Sequence, residues 1–522
     1  SRLTGLAREI AMARLFGAGV ANDAIVLGFR IPNLARDLFA EGALSSAFVP
    51  AFTRSLASEG RESAARLANL VATALVVVVG GLCALGMIFS PALVGLLAPQ
   101  FAAVPGKFEL AVTLTRIMFP FLLLVALAAQ SMGVLNASNQ FGIPALASTF
   151  FNAGSLGAGL AGALWIAPRM ELDPIIGMAW GVVIGGAMQW LCQAPSMARA
   201  GFRFRPAMDW SDPGLRQVLS LMAPAILGNA AVQINVMVNT NFAAGITDAA
   251  GQVINGPVSW LGYAFRFMQL PLGLFGVAIA SATLPSISRS AAEGDLEEFR
   301  RRLARSLGMV FLLTVPSSVG LAVLGEPMIA AVYEGGQFLP SDTRQTALAL
   351  AGYSVGLAGY AAVKVLAPAF YALEDSRTPM VVSLVSIAIN YAAASASVRS
   401  LGHTGLALTT SAVALFSFVA LLARLRVKIG GVHGRAMLAS LVKIALAAGV
   451  MGVVCAAASR WLEAGLGLAR WARLANVAVT VPLGAAVFCG VARLLRVGEL
   501  EAAWVALAQR RKSRDTLGKD AV

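Results

Sequence analysis

Arg30, Arg36, Asp37 and Glu41 share the stretch FRIPNLARDLFAEG (29–42), which has an uncharged run on either side. Isolated cations recur in apolar surroundings at Arg2, Arg8, Arg14, Arg116, Arg266 and Lys364. The acids in comparable places are Glu9, Asp37 and Glu41, so cations prevail. A charge at mid-bilayer costs roughly 2.5–3.5 kcal/mol on insertion scales, so each needs compensation or a task. Near helix ends a long side chain reaches the headgroups, which accounts for Arg14 and Arg116. Arg8, Arg36 and Arg266 instead have apolar neighbours on both sides or stand near a proline. Guanidinium forks match phosphate oxygens, so a pocket of such arginines asks for an anion. Asp37 and Glu41 share one helical face and Arg36 sits about 100° round from Asp37, which suits the acids to orienting arginines. Pro32 and Pro271 free backbone groups and kink their helices beside the charges.

The elements that position these groups follow from composition. Of 522 residues, 58% are hydrophobic and 13% charged, and the mean hydropathy of +0.76 lies outside the range of soluble domains. Apolar stretches of roughly 20 residues recur, each able to cross about 30 Å of hydrocarbon as a helix. Read against Gly, Pro and charge punctuation, they give about fourteen spans. Their extents are 1–16, 20–54, 66–97, 108–135, 142–167, 174–198, 215–243, 254–287, 303–325, 345–372, 379–399, 404–425, 436–459 and 472–495. The expected fold class is an all-α polytopic membrane protein, with kinks or a projecting turn in the longer spans. The charges of the segment ending at Gly17 predict that its first helix starts upstream of Ser1, and no signal-peptide pattern is present.

The net charge of +14 is spread over short loops, without a basic domain or an aromatic-studded groove, so nucleic acid is not an expected partner. The charge is topological. Arg54, Arg61 and Arg66, then Arg199, Arg203 and Arg205, then Arg289, Arg300, Arg301 and Arg302, then Arg424, Arg426 and Lys428 fall on one side. The tail adds Arg510, Arg511, Lys512, Arg514 and Lys519, whereas the opposite loops hold Lys107, Arg169, Arg344 and Arg399. The positive-inside bias therefore places both termini in the cytoplasm.

The chain also repeats itself. FRIPNLARDLFAEGALSSAFVPAFTRSLASEG (29–60) matches FRFMQLPLGLFGVAIASATLPSISRSAAEG (265–294) with small gaps. LNASNQFGIP (135–144) faces YALEDSRTP (371–379), and FGAG (16–19) faces FAAG (242–245), all in the same order. Each unit holds six spans, an even number, so both insert the same way up and are related by an axis along the membrane normal, with a cavity between them. The expected division is an N-lobe at 1–205, a C-lobe at 206–428, two extra helices within 429–500 and a basic tail at 501–522. That architecture suits a transporter that rocks two lobes. The repeat makes Arg30, not Arg36, the counterpart of Arg266, so retained symmetry would place Arg30 opposite Arg266.

An enzyme finds little material. GYSVG (352–356) fits a nucleophile elbow in letters only, because it lies in an apolar span without a strand–turn–helix context. The two histidines, His403 and His433, lie beside loops, and there is no phosphate-binding Gly-Lys loop or DxD pair. Cys83, Cys192, Cys455 and Cys489 lack metal-ligand or redox spacing and read as small core residues. Asn136 opens a glycosylation sequon but reads as a turn residue on the cytoplasmic side.

The runs SRLTGLAREIAMARLFGAGVANDA, FRIPNLARDLFAEGALSSAFVPAF, MAPAILG, LPLGLFGVAIASATLPSIS and YSVGLAGYAAVKVLAPAFYALEDSRTP, covering residue 1 to about 425, resemble the MurJ (MviN) family of lipid II flippases. The resemblance implies a bacterial inner-membrane member of the multidrug/oligosaccharidyl-lipid/polysaccharide (MOP) exporter superfamily. It also implies two six-helix lobes and a groove for the lipid tail formed by the two C-terminal helices. The implied substrate is lipid II, the undecaprenyl-pyrophosphate-linked disaccharide pentapeptide, turned from the cytoplasmic to the outer leaflet among membrane lipids. The cell-wall synthesis machinery is an implied partner.

By motif position the pyrophosphate-holding arginines map to Arg8, Arg36 and Arg266, with Arg2, Asp23, Glu41 and Lys364 at further positions the family uses. The family often has acids directly before and three residues after the arginine of the eighth helix, where this chain has Phe265 and Gln269. Some members bind sodium through acids on helices seven, eleven and twelve. Helix seven here offers Gln233, Asn235, Asn239 and Asn241, and helix eleven offers Asn390, so these amides read as packing contacts first and as ion ligands second. No cofactor is expected, and the membrane potential, protons or sodium are the candidate energy sources. A related MOP exporter of lipid-linked sugars or of cationic drugs is the alternative reading. Arginine dominance speaks against a drug antiporter, whose cavity should be acidic.

Overall fold

The computed structural model describes residues 2–38, 44–432, 434–467, 469–501 and 504. Glu41 lies outside them, as does the side chain of Arg2. Among the described residues the chain is helical, with two isolated β-bridges at Thr247–Val253 and Gly335–Phe338. It divides into two compact units: Ser1–Ser259 with Gly335–Phe338, and Trp260–Glu334 with Leu339–Val522.

The first unit contains α1 (Arg2–Phe16), α2 (Val20–Arg36), α3 (Ser45–Ser58), α4 (Arg61–Ile88), α5 (Ser90–Leu97), α6 (Lys107–Met118) and α7 (Pro120–Ala137). It continues with α8 (Gly142–Ala161), α9 (Ala167–Arg169), α10 (Pro174–Leu191), α11 (Ala194–Arg199) and α12 (Pro213–Ala244). The last of these, read from sequence as the opening of the second lobe, is grouped with the first unit. Prolines open α7, α10 and α12 at the first turn, where a missing N–H removes no helical bond. Helices α8 and α10 meet backbone to backbone. A Cβ on Gly181 would stand 2.6 Å from Gly159 Cα, and one on Gly177 2.2 Å from Ala163 N. Small residues permit this approach where no hydrophobic effect drives helices together.

The second unit contains α13 (Pro257–Pro271, its first turn counted with the first unit), α14 (Val277–Ala292), α15 (Leu296–Val332), α16 (Pro340–Ser354) and α17 (Leu357–Ala372). It ends with α18 (Arg377–Ile429), α19 (Gly434–Leu466) and α20 (Arg470–Leu494). Helix α13 stops at Pro271 and resumes as α14 through a widened turn at Leu272–Gly276. At 53 residues, α18 is far longer than the roughly 20 that cross a bilayer, and it breaks at Gly402, with φ 55° and ψ −136°. That break separates the segments read from sequence as 379–399 and 404–425. Phe299, Leu307, Leu366, Phe370, Leu425 and Ile444 form the centre of the unit's core. Nine helical segments among the described residues are long and apolar enough to cross a membrane, or ten with the bent pair α16–α17.

Between α17 and α18, Asp375 accepts from Lys428 Nζ at 2.8 Å, Thr378 Oγ1 at 2.8 Å and Thr378 N at 3.0 Å. The Lys428 ammonium and then the Thr378 donors hold its carboxyl down from 3.8 to about 2. A carboxyl depressed in the folded state adds stability above its unfolded value and loses it as pH falls through the folded one. Lys428→Met should therefore move that loss upward from about 2 toward 3.8, read as thermal unfolding across this pH window. In the first unit, Gly181→Val should lower stability by about 1–3 kcal/mol through backbone overlap. Gly157→Val, placed where nothing lies within 4 Å, should have little effect in the same melting assay.

Candidate functional site

On α2 the sequence places Arg30 and Arg36 nearly two turns apart, and each is held differently. Arg30 Nη1 donates to the Thr240 hydroxyl on α12, which in turn donates to Val236 O at 2.7 Å. Arg36 donates through Nε at 3.1 Å and Nη2 at 2.8 Å to one oxygen of its neighbour Asp37. Gln233 of α12 donates to the other oxygen at 3.2 Å. The ion pair is partly open, its side chains 23% and 28% exposed. Asp37 fixes the fork's plane while Gln233 fixes Asp37, giving a preset cation rather than a flexible one.

A second constellation lies around Asp23, in the first turn of α2. Its Oδ2 accepts from Lys107 Nζ at 2.9 Å and Gly256 N at 2.8 Å. Its Oδ1 accepts from Ser259 N at 3.0 Å and Ser259 Oγ at 2.5 Å. Lys107 also donates to Asn255 Oδ1 at 2.8 Å and lies 4.2 Å from the centre of the Phe101 ring. Asp23 and Lys107 are both fully buried. Helix physics explains the arrangement. Lys107 is the first residue of α6, where a cation meets the positive end of the helix dipole, so it needs a carboxylate. Asp23 supplies that charge and accepts the free N–H groups at the start of α13 as a cap from another helix. From sequence, Lys107 is one of the sparse charges of the opposite loops, and nothing in the sequence distinguishes Asn255 or Ser259. The structure instead buries Lys107 as the partner of Asp23. The signal was a lone lysine directly after Pro105-Gly106 in a loop side poor in cations.

The remaining candidates are distributed over both units. Arg8 on α1 sets its guanidinium 5.3 Å from the centre of the Phe151 ring on α8. Arg266 on α13 and Lys364 on α17 are exposed, and Gln269 is exposed as well. Phe265 packs edge-on against Tyr353 at 5.5 Å. Asn235 is half-buried on α12 in the first unit, and Asn390 is buried on α18 in the second. No group of three or more His, Cys, Asp or Glu placed to hold a metal occurs among the described residues.

The second unit contains a groove of about 950 Å³ between α13–α15 and α19–α20. Leu270, Phe275, Met328, Phe488 and Trp504 line it, and none of its lining residues is charged. Such a wall accepts an aliphatic chain and no ionic group.

The fold has counterparts among solved transporters. An inward-facing multidrug-resistance MATE transporter of the MOP superfamily matches with a TM-score of 0.68 at 15% identity, covering 82% of this chain and 94% of its own. A lipid II flippase MurJ in an inward closed conformation matches with a TM-score of 0.75 at 24% identity, covering 94% and 96%. The class defined is an all-α membrane protein with the fold of these MOP-superfamily structures. The family model described as lipid II flippase MurJ matches residues 12–471. The lipid II flippase MurJ of Burkholderia cenocepacia is 35% identical over 430 residues, 82% of this chain and 81% of that protein. A relative from Bdellovibrio bacteriovorus is 33% identical over 497 residues, 95% and 92% of the two chains. The protein belongs to the lipid II flippase MurJ family.

Asp23→Ala should cost about 3–5 kcal/mol, because it leaves Lys107 as an uncompensated buried charge. Asp23→Ala/Lys107→Met should be less damaging than the sum of the single changes. A double-mutant cycle on unfolding free energies checks this.

Proposed function

We propose that the protein turns lipid II from the cytoplasmic to the periplasmic leaflet of a bacterial inner membrane by alternating access. In this reading, the pyrophosphate is held by arginines and the prenyl tail stays in the uncharged groove. The observation that carries it is the partly open Arg36–Asp37 pair, a preset guanidinium in a greasy chain of the MurJ family. Arg8, Arg30 and Arg266 join Arg36 as phosphate ligands, with Arg2 and Lys364 in support. Asp37 and Glu41 orient or gate, and Asp23, fully buried with Lys107, supports them by holding the start of α2. The two lobes are 1–205 and 206–428, the added helices lie within 429–500, the spans number fourteen, and both termini are cytoplasmic. Charge distribution and the internal repeat support these assignments. Coupling to the membrane potential or to protons is preferred over sodium, because Gln233, Asn235, Asn239 and Asn241 supply α12 with amides and no carboxylate. Contact with the cell-wall synthesis machinery follows from the substrate's destination.

Arg36→Ala and Arg266→Ala should each abolish lipid II translocation in vesicles and growth rescue of a flippase-depleted strain. Full rescue by both overturns the site assignment. Arg30→Ala tests the repeat symmetry in the same assay: wild-type activity would leave only the asymmetric arginine in the phosphate site. Lipid II should be recovered chemically intact after incubation, which separates this reading from an enzyme of lipid-linked sugars.

A further inference from the structure

The first unit holds a second cavity, of about 520 Å³, away from the residues assigned above. Ala68 and Ala72 of α4, Leu127 of α7, and Trp190 and Ala194 of α10 and α11 form its walls, and alanine's small side chain leaves the space open. The size falls within the range of small-ligand sites. It opens to the surface: Val76 and Phe204 line it while remaining 41% and 57% exposed.

Its edge is built by the segment after α11. Arg205 N donates to Asn69 Oδ1 at 3.0 Å and Ala207 N to Thr73 Oγ1 at 3.1 Å, so two side chains one turn apart hold this extended segment along α4. The pinned backbone sets Arg203 on the cavity wall, beside Asn69. Gln130, itself 4% exposed, lines the interior and spends its amide N–H on Ala68 O at 2.7 Å. Arg61 lies against Gly201, and Arg199 and Arg205 flank the segment. Asp209 pairs with Arg66 at 3.4 Å, whereas Arg61, Arg199, Arg203 and Arg205 form no ion pair among the described residues. An apolar chamber with one cation in its wall and three more around it is complementary to an amphiphile with an anionic head.

We infer that this cavity binds an anionic glycerophospholipid, phosphatidylglycerol in its simplest form, with an acyl chain between α4 and α10 and the phosphodiester at Arg203. The phosphate needs a donor at the cavity edge and the chain needs a dry wall, and Arg203 and the alanines supply one each. A lipid seated there would also cover the pinned segment that leads into α12.

Native mass spectrometry of the full chain in detergent, titrated with phosphatidylglycerol and with phosphatidylcholine of the same acyl chains, tests this directly. The first should bind at least about fivefold more tightly than the second. Arg203→Gln, an exposed substitution, should weaken phosphatidylglycerol by roughly fivefold and leave phosphatidylcholine unchanged. Ala72→Trp, which fills the chamber, should remove the site for both lipids. Excess inorganic phosphate should not displace the bound lipid. Equal binding of the two lipids, indifference to Arg203→Gln or displacement by inorganic phosphate would each overturn the assignment. Because the readout is lipid retention, it does not depend on whether lipid II is translocated.

Discussion

A buried charge without water must be answered within the protein, and the Asp23 carboxylate is where this constraint acts most strongly. Four hydrogen bonds converge on its two oxygens, from Lys107, Gly256 and Ser259. Three helices begin around it: α2, which carries it, α6, which opens with Lys107, and α13, whose first turn donates to it. Helix dipoles alone would make each of these buried N-termini a site of unanswered positive potential. The Asp23 carboxylate caps the start of α13 directly and answers the Lys107 charge at the start of α6. The starting points of α2, α6 and α13 are thereby fixed, and with them the direction in which α2 delivers Arg30 and Arg36.

Arg36 obeys the same constraint with a different balance. Its carboxylate comes from the adjacent residue, the pair keeps about a quarter of its surface open, and Gln233 engages the far oxygen. A pair buried like Asp23–Lys107 is committed to the fold, because separating it strands a charge. A half-open pair instead keeps part of the guanidinium at the surface. The contrast in exposure, not in residue type, separates a structural ion pair from one suited to binding.

Much of the fold was legible because membrane spans announce themselves through long apolar runs, and backbone hydrogen bonding leaves such runs no alternative to the helix. Gly402 shows what kind of detail remained hidden: the sequence located two spans there, and only geometry shows them joined through one glycine in the left-handed region. The Arg36–Asp37 pair was visible because both members are neighbours in the chain. Lys107 was not, because its partner is 84 residues away and its position beside a loop suits an ordinary topological charge. Asn255 and Ser259 had no signal at all, since an amide and a hydroxyl near a helix start are common capping residues. Long-range pairing, rather than residue chemistry, was the missing information.

The two ends of an amphiphilic substrate make incompatible demands on a protein wall. A pyrophosphate needs donors that remain accessible, and an aliphatic tail needs a surface from which every charge has been removed. In this chain the two kinds of surface lie in different sequence blocks. The arginines of α2 lie in the first unit, and the 950 Å³ groove uses α13–α15, α19 and α20 of the second. The internal repeat ends before α19, so the last two helices are the part of the groove wall that duplication did not supply. What α19 and α20 add is apolar wall, including Met451, Phe488 and Cys489, beside the kinked α13–α14 segment. That addition is intelligible for a cargo with a long hydrocarbon tail, because such a tail needs an uncharged path along the protein while its head moves.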